Sequence, residues 1–206
     1  MAENQRENII LAASEKMRML GIRSVSVDDL CHDLGISKKT FYVHFATKDA
    51  LVDELLRRRE QQLVEDVERK TKGKKMIDLL FDFIKVTKDL KDVRQVPPLL
   101  YDLKKYYPQQ LTAHLQRLKI INRDIAARYL QQGVEEGFFR PDLNMEAVAR
   151  VLASLHQVML DKLAEAQNHP SIVQDSKMAM DIFMRGLISE EGEKRIRERF
   201  ANRTLR

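Results

Sequence analysis

The chain has 206 residues, of which 44% are hydrophobic and 33% are charged, and its formal net charge is +5. This length suits one large domain or a small domain followed by a larger one, with a soluble surface. No segment approaches the ~20 apolar residues of a membrane-spanning helix, and the single Cys31 excludes an intrachain disulfide and a cysteine zinc cluster. Because the N-terminus lacks the basic patch and apolar core of a signal peptide, we expect a cytoplasmic protein without membrane contact.

The spacing of apolar residues predicts an all-helical chain, since only 7 Gly and 5 Pro interrupt it. The first helix is predicted from about Glu3 to Leu20, and Gly21 ends it as a C-cap glycine does. Its apolar repeat comprises Ile9, Ile10, Ala13, Met17 and Leu20. We expect this repeat to form the face of the first helix that packs into a core.

Two short helices follow the first. The run Ser26 to Asp29 has the form of a capping box, with Asp in place of the longer Glu or Gln, and predicts a helix over 27–34. Gly35 permits the positive φ of a tight turn, and Ser37 caps a third helix over 38–44. Three helices within about 45 residues are typical of a helix-turn-helix.

The helix-turn-helix pattern favours DNA binding, and a three-helix turn with a solvated polar face is the alternative. Residues spaced to pack the second and third helices together are Leu30, Leu34, Ile36 and Phe41. The third helix keeps the non-core residues Lys38, Lys39, Thr40, Tyr42 and His44. Lysines pair with phosphate or guanine, hydroxyls reach phosphate oxygens, and an aromatic ring can contact a thymine methyl group. Residues 1–50 carry seven basic and seven acidic residues, so their placement must provide the DNA-binding surface.

The rest of the chain is also predicted to be helical. Thr47 caps a long fourth helix that extends to about residue 70, and the run 71–75 is the clearest linker. Further helices are predicted at about 75–91, 97–106, 109–136, 145–167 and 173–190, with Asn144 and Ser171 as caps. The charged stretch 190–206 is predicted to be a frayed helix end. The predicted fold is all-α, with a three-helix helix-turn-helix domain over 1–63 and a long fourth helix leading into a larger helical domain over 64–206.

The stretch from Ile10 to Leu51 resembles the N-terminal pattern of the TetR (tetracycline-repressor-like) family. The densest part of the match is Gly35-Ile-Ser-Lys-Lys-Thr-Phe-Tyr-Val-His-Phe45, and the resemblance covers about the first 55 residues. The remainder is similar to the family in helical character, in length and in the Gly-Phe-Phe-Arg-Pro-Asp turn at 137–142. Lys16 departs from the pattern, because it stands where the family has an apolar residue, and its stem can snorkel along the core edge.

The resemblance implies a sequence-specific DNA-binding transcriptional regulator, a repressor that a small-molecule ligand releases from its operator, and not an enzyme. It implies a homodimer on a pseudo-palindromic operator of double-stranded DNA. The implied DNA contacts are Ser26, Ser37, Lys38, Lys39, Thr40, Tyr42, His44 and Lys48. Among them Ser26 and Lys48 would contact phosphates at the starts of the second and fourth helices. Phe41 and Phe45 are expected in the core, and His44 either contacts phosphate or packs.

By the same resemblance, residues 64–206 form a ligand chamber and a dimer interface. Candidate chamber residues, for which an ordinary core is the alternative, are Phe81, Phe83, Tyr101, Tyr106, Tyr107, Tyr129, Phe138, Phe139, His114, His156, Met145 and Met159. The helices at about 145–167 and 173–190 would form the dimer bundle. The identity of the effector cannot be read from the sequence.

We expect no cofactor and no metal site. The five histidines lack H-x3-H and H-E-x-x-H spacing, and the sequence contains neither a glycine-rich phosphate loop nor a nucleophile elbow. Cys31 is expected to be an inert core thiol, with a redox sensor as the alternative. The alternative functions are an activator, a helical ligand-binding or catalytic protein without DNA binding, and a DNA-associated protein that organises chromosomes.

Overall fold

The computed structural model describes residues 2–89, 98–165 and 170–204. Within these ranges the chain forms ten α-helices. In addition, the backbone of Phe139 pairs with that of Ile188 in an isolated antiparallel bridge. They are α1 (Ala2–Leu20), α2 (Val27–Leu34), α3 (Lys38–His44), α4 (Lys48–Thr71), α5 (Met76–Asp89), α6 (Pro98–Tyr106), α7 (Pro108–Glu135), α8 (Met145–Glu165), α9 (Pro170–Leu187) and α10 (Glu190–Thr204). The all-helical prediction is confirmed. None of the helices in these ranges combines the length and the apolar content needed to cross a bilayer.

The helices divide between two compact units. Unit 1 comprises Met1–Asp66 and Val96–Leu118, and unit 2 comprises Val67–Gln95 and Lys119–Arg206. Unit 1 therefore contains α6 and the start of α7 as well as the predicted helix-turn-helix. The contiguous boundary between residues 63 and 64 stays a prediction.

The predicted apolar face of α1 is confirmed except at its last residue. Ile9, Ile10, Ala13 and Met17 are buried in unit 1. Leu20 is 53% exposed, because the helix ends there and Ile22 and Val25 enter the core in its place. Lys16 does snorkel: its stem is largely covered, and its Nζ lies 2.5 Å from Oδ2 of Asp33.

The second and third helices begin and end as the local sequence predicts. The backbone N–H of Asp29 donates to Ser26 Oγ at 3.0 Å, and the N–H of Ser26 donates to Asp29 Oδ2 at 2.8 Å. The shorter aspartate therefore closes the capping box. Gly35 has φ +62°, the left-handed conformation that glycine adopts without a steric penalty. Phe41 and Phe45 are buried in the unit 1 core, as expected.

Ion pairs connect α4 to α1 within unit 1. Arg58 forms a bidentate pair with Glu7, both distances being 2.5 Å, and Arg6 lies 3.0 Å from Glu54. Cys31 is buried in the same unit, and burial raises the pKa of its thiol. That placement agrees with an inert core thiol.

Unit 2 is organised around the turn between α7 and α8. The backbone N–H groups of Phe138 and Phe139 both donate to the carbonyl of Gly133, at 2.7 and 3.0 Å. The two rings are fully buried against each other and against Leu130 and Leu187. Asn144 caps α8 as predicted, since its Oδ1 accepts from the N–H of Ala147 at 3.0 Å. α9 begins at Pro170, before the predicted cap Ser171, whose side chain lies outside the described residues.

Candidate nucleic-acid interface

The helix α3 presents one face to solvent because Phe41 anchors the opposite face in the core. With about 3.6 residues per turn, Lys39 and Val43 lie almost opposite Phe41. Val43 is 74% exposed and the neighbouring Tyr42 is 51% exposed, so an apolar and an aromatic side chain lie next to each other in solvent. We define the α3 face as Lys38, Lys39, Tyr42 and Val43, all of which are exposed.

The two lysines of the α3 face differ in their partners. Lys38 Nζ lies 2.7 Å from Oδ1 of Asp28, and its hydrogen bond to that carboxylate raises the pKa of Lys38. Within the described residues, Lys39 forms no ion pair and no hydrogen bond to another side chain. A DNA phosphate or base edge can therefore contact Lys39 without displacing a protein partner, whereas Lys38 must exchange Asp28 for it.

The serines that begin α2 and α3 use their hydroxyl groups as helix caps. The N–H of Thr40 donates to Ser37 Oγ at 3.1 Å, and the two hydroxyl oxygens are 2.8 Å apart. Ser26 Oγ donates to Asp29 Oδ2 at 2.7 Å, a contact that holds the pKa of Asp29 below its ordinary value. A phosphate at Ser26 would compete with this carboxylate. Thr40 and His44 are half-buried on the flank of α3.

Lys48 points into unit 1 rather than away from it. Its Nζ donates to the carbonyl of Ile22 at 2.6 Å and lies 5.9 Å from the centre of the Tyr107 ring. Burial lowers the pKa of the Lys48 ammonium group. The predicted phosphate contact therefore requires this side chain to turn outward or to act through the field of its charge.

Side chains of α6 hold the loop that precedes α2, a feature that the sequence analysis missed. The buried carboxylate of Asp102 accepts the backbone N–H of Arg23 at 2.9 Å. The Arg23 guanidinium donates to the Tyr106 hydroxyl and lies 4.6 Å over that ring. These partners are separated by 79 and 83 residues in the chain, and no local motif signals the pairing.

Val43 was also missed, although a helical projection of 38–44 could have found it. The predicted DNA contacts were all polar or aromatic residues, whereas a valine near a core phenylalanine in the sequence suggests a buried position. Its methyl groups can contact a thymine methyl group in the major groove.

Unit 2 encloses a cavity of about 670 Å³. Its lining is Val67, Lys70, Thr71, Lys74, Met76, Leu79, Leu80, Asp82, Asn122, Ile125, Ala126, Tyr129, Leu130, Phe139, Leu152, Ala153, Met180 and Met184. The size and the largely apolar lining are typical of a small-molecule site.

The cavity corrects several of the predicted chamber residues. Tyr129 and Phe139 do line it. Tyr106, Tyr107 and His114 belong to unit 1, where His114 contacts the buried Glu60, because α6 and the start of α7 pack with the helix-turn-helix. Tyr101, also in unit 1, is exposed. In unit 2, Phe81, Phe138 and Met145 pack in apolar surroundings outside the lining. The side chains of Phe83, His156 and Met159 lie outside the described residues.

The α8–α9 pair leaves apolar side chains in solvent. Its exposed residues of this type are Val151, Val158, Met178 and Ile182. Val151 and Val158 are two turns apart on α8, and Met178 and Ile182 are one turn apart on α9, so each pair lies on one helix face. Met180 and Leu187, which also lie in the predicted dimer helix at 173–190, are instead buried within unit 2, where they cover its own core.

Comparison with known proteins agrees with this arrangement. Residues 9–55 match the family described as "Bacterial regulatory proteins, tetR family". The transcriptional repressor KstR2 of Mycobacterium tuberculosis is 25% identical over 158 residues, which cover 72% of this chain and 76% of that protein.

The transcriptional regulator UidR of Escherichia coli is 24% identical over 166 residues, covering 80% of this chain and 84% of that protein. The crystal structure of a TetR-family regulator from Pectobacterium atrosepticum has the same fold, with a TM-score of 0.68 at 14% identity, over 92% of this chain and 96% of that one. Residues 9–55 thus match the DNA-binding region of the TetR family of bacterial regulatory proteins, and over most of its length the chain is similar to transcriptional regulators of that family.

Proposed function

We propose that this protein is a cytoplasmic repressor that binds a pseudo-palindromic operator as a homodimer and leaves it when a small molecule occupies the unit 2 cavity. The observation that carries the proposal is the α3 face, on which a lysine without an ion pair to any described residue, a tyrosine and a valine lie exposed next to one another. Exposed apolar and cationic groups on one short helix suit a major groove, where methyl groups and acceptor atoms alternate. Similarity to the repressor KstR2 supports the direction of regulation.

Base contacts are assigned to Lys39, Tyr42 and Val43, since these side chains of α3 are exposed. Lys38 is assigned to phosphate, in exchange for Asp28. Ser26, Ser37, Thr40, His44 and Lys48 stay predicted contacts with the DNA backbone. Lys48 acts there as a half-buried charge that strengthens the positive field at the start of α4.

The geometry of a two-half-site operator favours a dimeric protein. One α3 helix contacts only a half-site, and two related helices must be ~34–36 Å apart to meet successive major grooves on one side of DNA. The exposed apolar residues of α8 and α9 support these helices as the dimer surface, because burying them removes apolar area from water.

The effector acts by binding more tightly to a state with low operator affinity. Such coupling is reciprocal, so the operator must weaken effector binding by the same factor, typically ~5–150-fold. The largely apolar cavity in unit 2 supports the existence of an effector.

Fluorescence anisotropy on an operator from DNA flanking the gene tests the α3 assignment. We expect Lys39→Ala to weaken binding about tenfold and to relax the preference for the base pair that Lys39 contacts. Val43→Ala should relax the preference for one base pair and leave the salt slope unchanged. Lys119→Ala, an exposed lysine of α7, is the control and should bind like the wild type. Unchanged affinity and specificity in both α3 variants would contradict the assignment.

A further inference from the structure

The lining of the unit 2 cavity separates charge from apolar surface. Among the described lining residues, Lys70, Lys74 and Asp82 are the exposed ones and also the charged ones. The deepest positions are apolar, with Leu130 and Phe139 almost fully buried. We call the three exposed residues the mouth of the cavity. An occupant thus meets hydrocarbon inside and charge where the cavity reaches solvent.

The mouth carries a net positive charge. Lys74 Nζ lies 2.6 Å from Oδ2 of Asp82, so these two charges offset each other. Lys70 forms no ion pair with any described residue. Lys72 and Lys75 are exposed in the same short segment and add to the positive field. The lysine-rich run 71–75, which looks like a plain linker in the sequence, therefore borders the cavity.

Two polar side chains inside the cavity, Thr71 and Tyr129, already have partners, and the other uncharged polar residue of the described lining, Asn122, carries a neutral amide. The Thr71 hydroxyl donates to the Val67 carbonyl at 2.6 Å and also contacts the Tyr129 hydroxyl. Because both hydroxyl protons are engaged, Thr71 and Tyr129 offer no free donor to a buried anion. An anionic group on an occupant is therefore best satisfied at the mouth, where a lysine can reach it and water still solvates it.

We propose that the cavity takes an anionic amphiphile, with an apolar carbon body in the interior and a carboxylate or phosphate group against Lys70 and Lys74. This inference rests on the proposed function only in treating the cavity as the effector site. The body supplies binding through buried apolar area, and the head group fixes the orientation. Lys74 remains within reach of Asp82 or turns to the ligand, while Lys70 gains its first ionic partner.

Isothermal titration of the full-length protein with matched ten-carbon ligands tests the head-group assignment. The probes are decanoate, decyl phosphate, decanol and decyltrimethylammonium, which share one tail and differ in charge. We expect both anions to bind about tenfold more tightly than the alcohol, as one charge-assisted contact provides, and the cation to bind more weakly than the alcohol. Equal affinities for all four heads, or tightest binding of the cation, would overturn the proposal.

Three variants locate the contact. The double variant K70Q/K74Q should reduce the preference for decanoate over decanol to less than about twofold, since it removes both cations. K119Q, which removes an exposed lysine of α7 outside the lining, is the control and should keep the preference. Ala153→Leu narrows the interior and should weaken acid and alcohol together, with a cooperative melting curve as the check of folding. Retention of the preference in K70Q/K74Q would overturn the assignment to these lysines.

Operator binding is measured in the same protein, because it tests the proposed function separately from the ligand class. Decanoate that binds the free protein and also releases operator DNA supports both. Binding without release supports the ligand class and contradicts the repressor mechanism. Specific operator binding in a protein that takes up none of the four probes overturns the ligand class and leaves DNA recognition intact.

Discussion

Removing Arg117 should destabilise the protein far more than removing an exposed arginine, because its partner is buried. The Glu60 side chain is 6% exposed, and Arg117 Nε lies 2.8 and 3.0 Å from its two oxygens. His114 Nδ1 approaches the same carboxylate at 2.5 Å. Arg117 also reaches Asp53 at 3.0 Å. In Arg117→Met, Glu60 retains its contact with His114 and loses its contact with the charged guanidinium group.

The cost follows from how much of the cluster is buried. Breaking a buried ion pair costs about 3–5 kcal/mol, and because Arg117 is 21% exposed and His114 remains, we expect about 2–4 kcal/mol. Glu60→Gln combined with Arg117→Met should cost less than Arg117→Met alone, since no buried charge is left without a partner.

Urea unfolding monitored by far-UV circular dichroism measures this cost, at one fixed protomer concentration because the proposed dimerisation would make stability depend on concentration. The control is Arg128→Met, whose pair with Glu68 joins side chains that are 53% and 54% exposed and should change the unfolding free energy by less than about 0.5 kcal/mol. A cost below about 1 kcal/mol for Arg117→Met, or a double variant worse than the single one, would refute the reasoning.

Three further predictions concern stability and reactivity. Cys31, buried and with its pKa raised by that burial, should resist thiol reagents in the native protein and react in urea; rapid native labelling would contradict its core position. Gly133→Ala would place a methyl carbon 2.2 Å from the buried Phe139 ring and should cost about 1–3 kcal/mol in urea unfolding, whereas an unchanged midpoint would show that the ring can move. Burial raises the pKa of Glu54, but hydrogen bonds from its two arginine partners lower it by more than burial raises it. The folded-state pKa therefore lies below the ordinary value. The contribution of Glu54 to the free energy of unfolding is therefore present above the unfolded pKa, about 4.3, and is lost as pH falls through the folded pKa. Glu54→Gln should make the free energy of unfolding fall less steeply with acid, and an unchanged pH dependence would contradict the pairing.

Local features of the fold could be predicted because their causes are local. The bounds of α2 and α3 follow from Ser26, Gly35 and Ser37, whose effects act within one helical turn. The apolar face of α1 follows from helical periodicity, and it fails only at Leu20, where the helix has no further turn to complete that face.

Contacts between distant segments could not be predicted in this way. Apolar periodicity does not reveal that α6 packs with the helix-turn-helix, and so Asp102 was missed and His114 was placed in the chamber. The inward orientation of Lys48 depends on the position of the Ile22 carbonyl, which only the folded loop defines. Val43 shows a different limit, since residue type suggested core whereas its position on α3 exposes it.

Sequence-specific operator binding is the central claim, and a competition titration tests it most directly. Labelled operator DNA from the flanking region is titrated with the purified protein against excess unlabelled operator or a scrambled duplex of equal length, at physiological salt. The account predicts two protomers per site and a preference for the operator of at least about a thousandfold, the lower range for specific regulators. Equal competition by both duplexes, with steep salt sensitivity and no fixed stoichiometry, would leave only phosphate attraction and contradict the account.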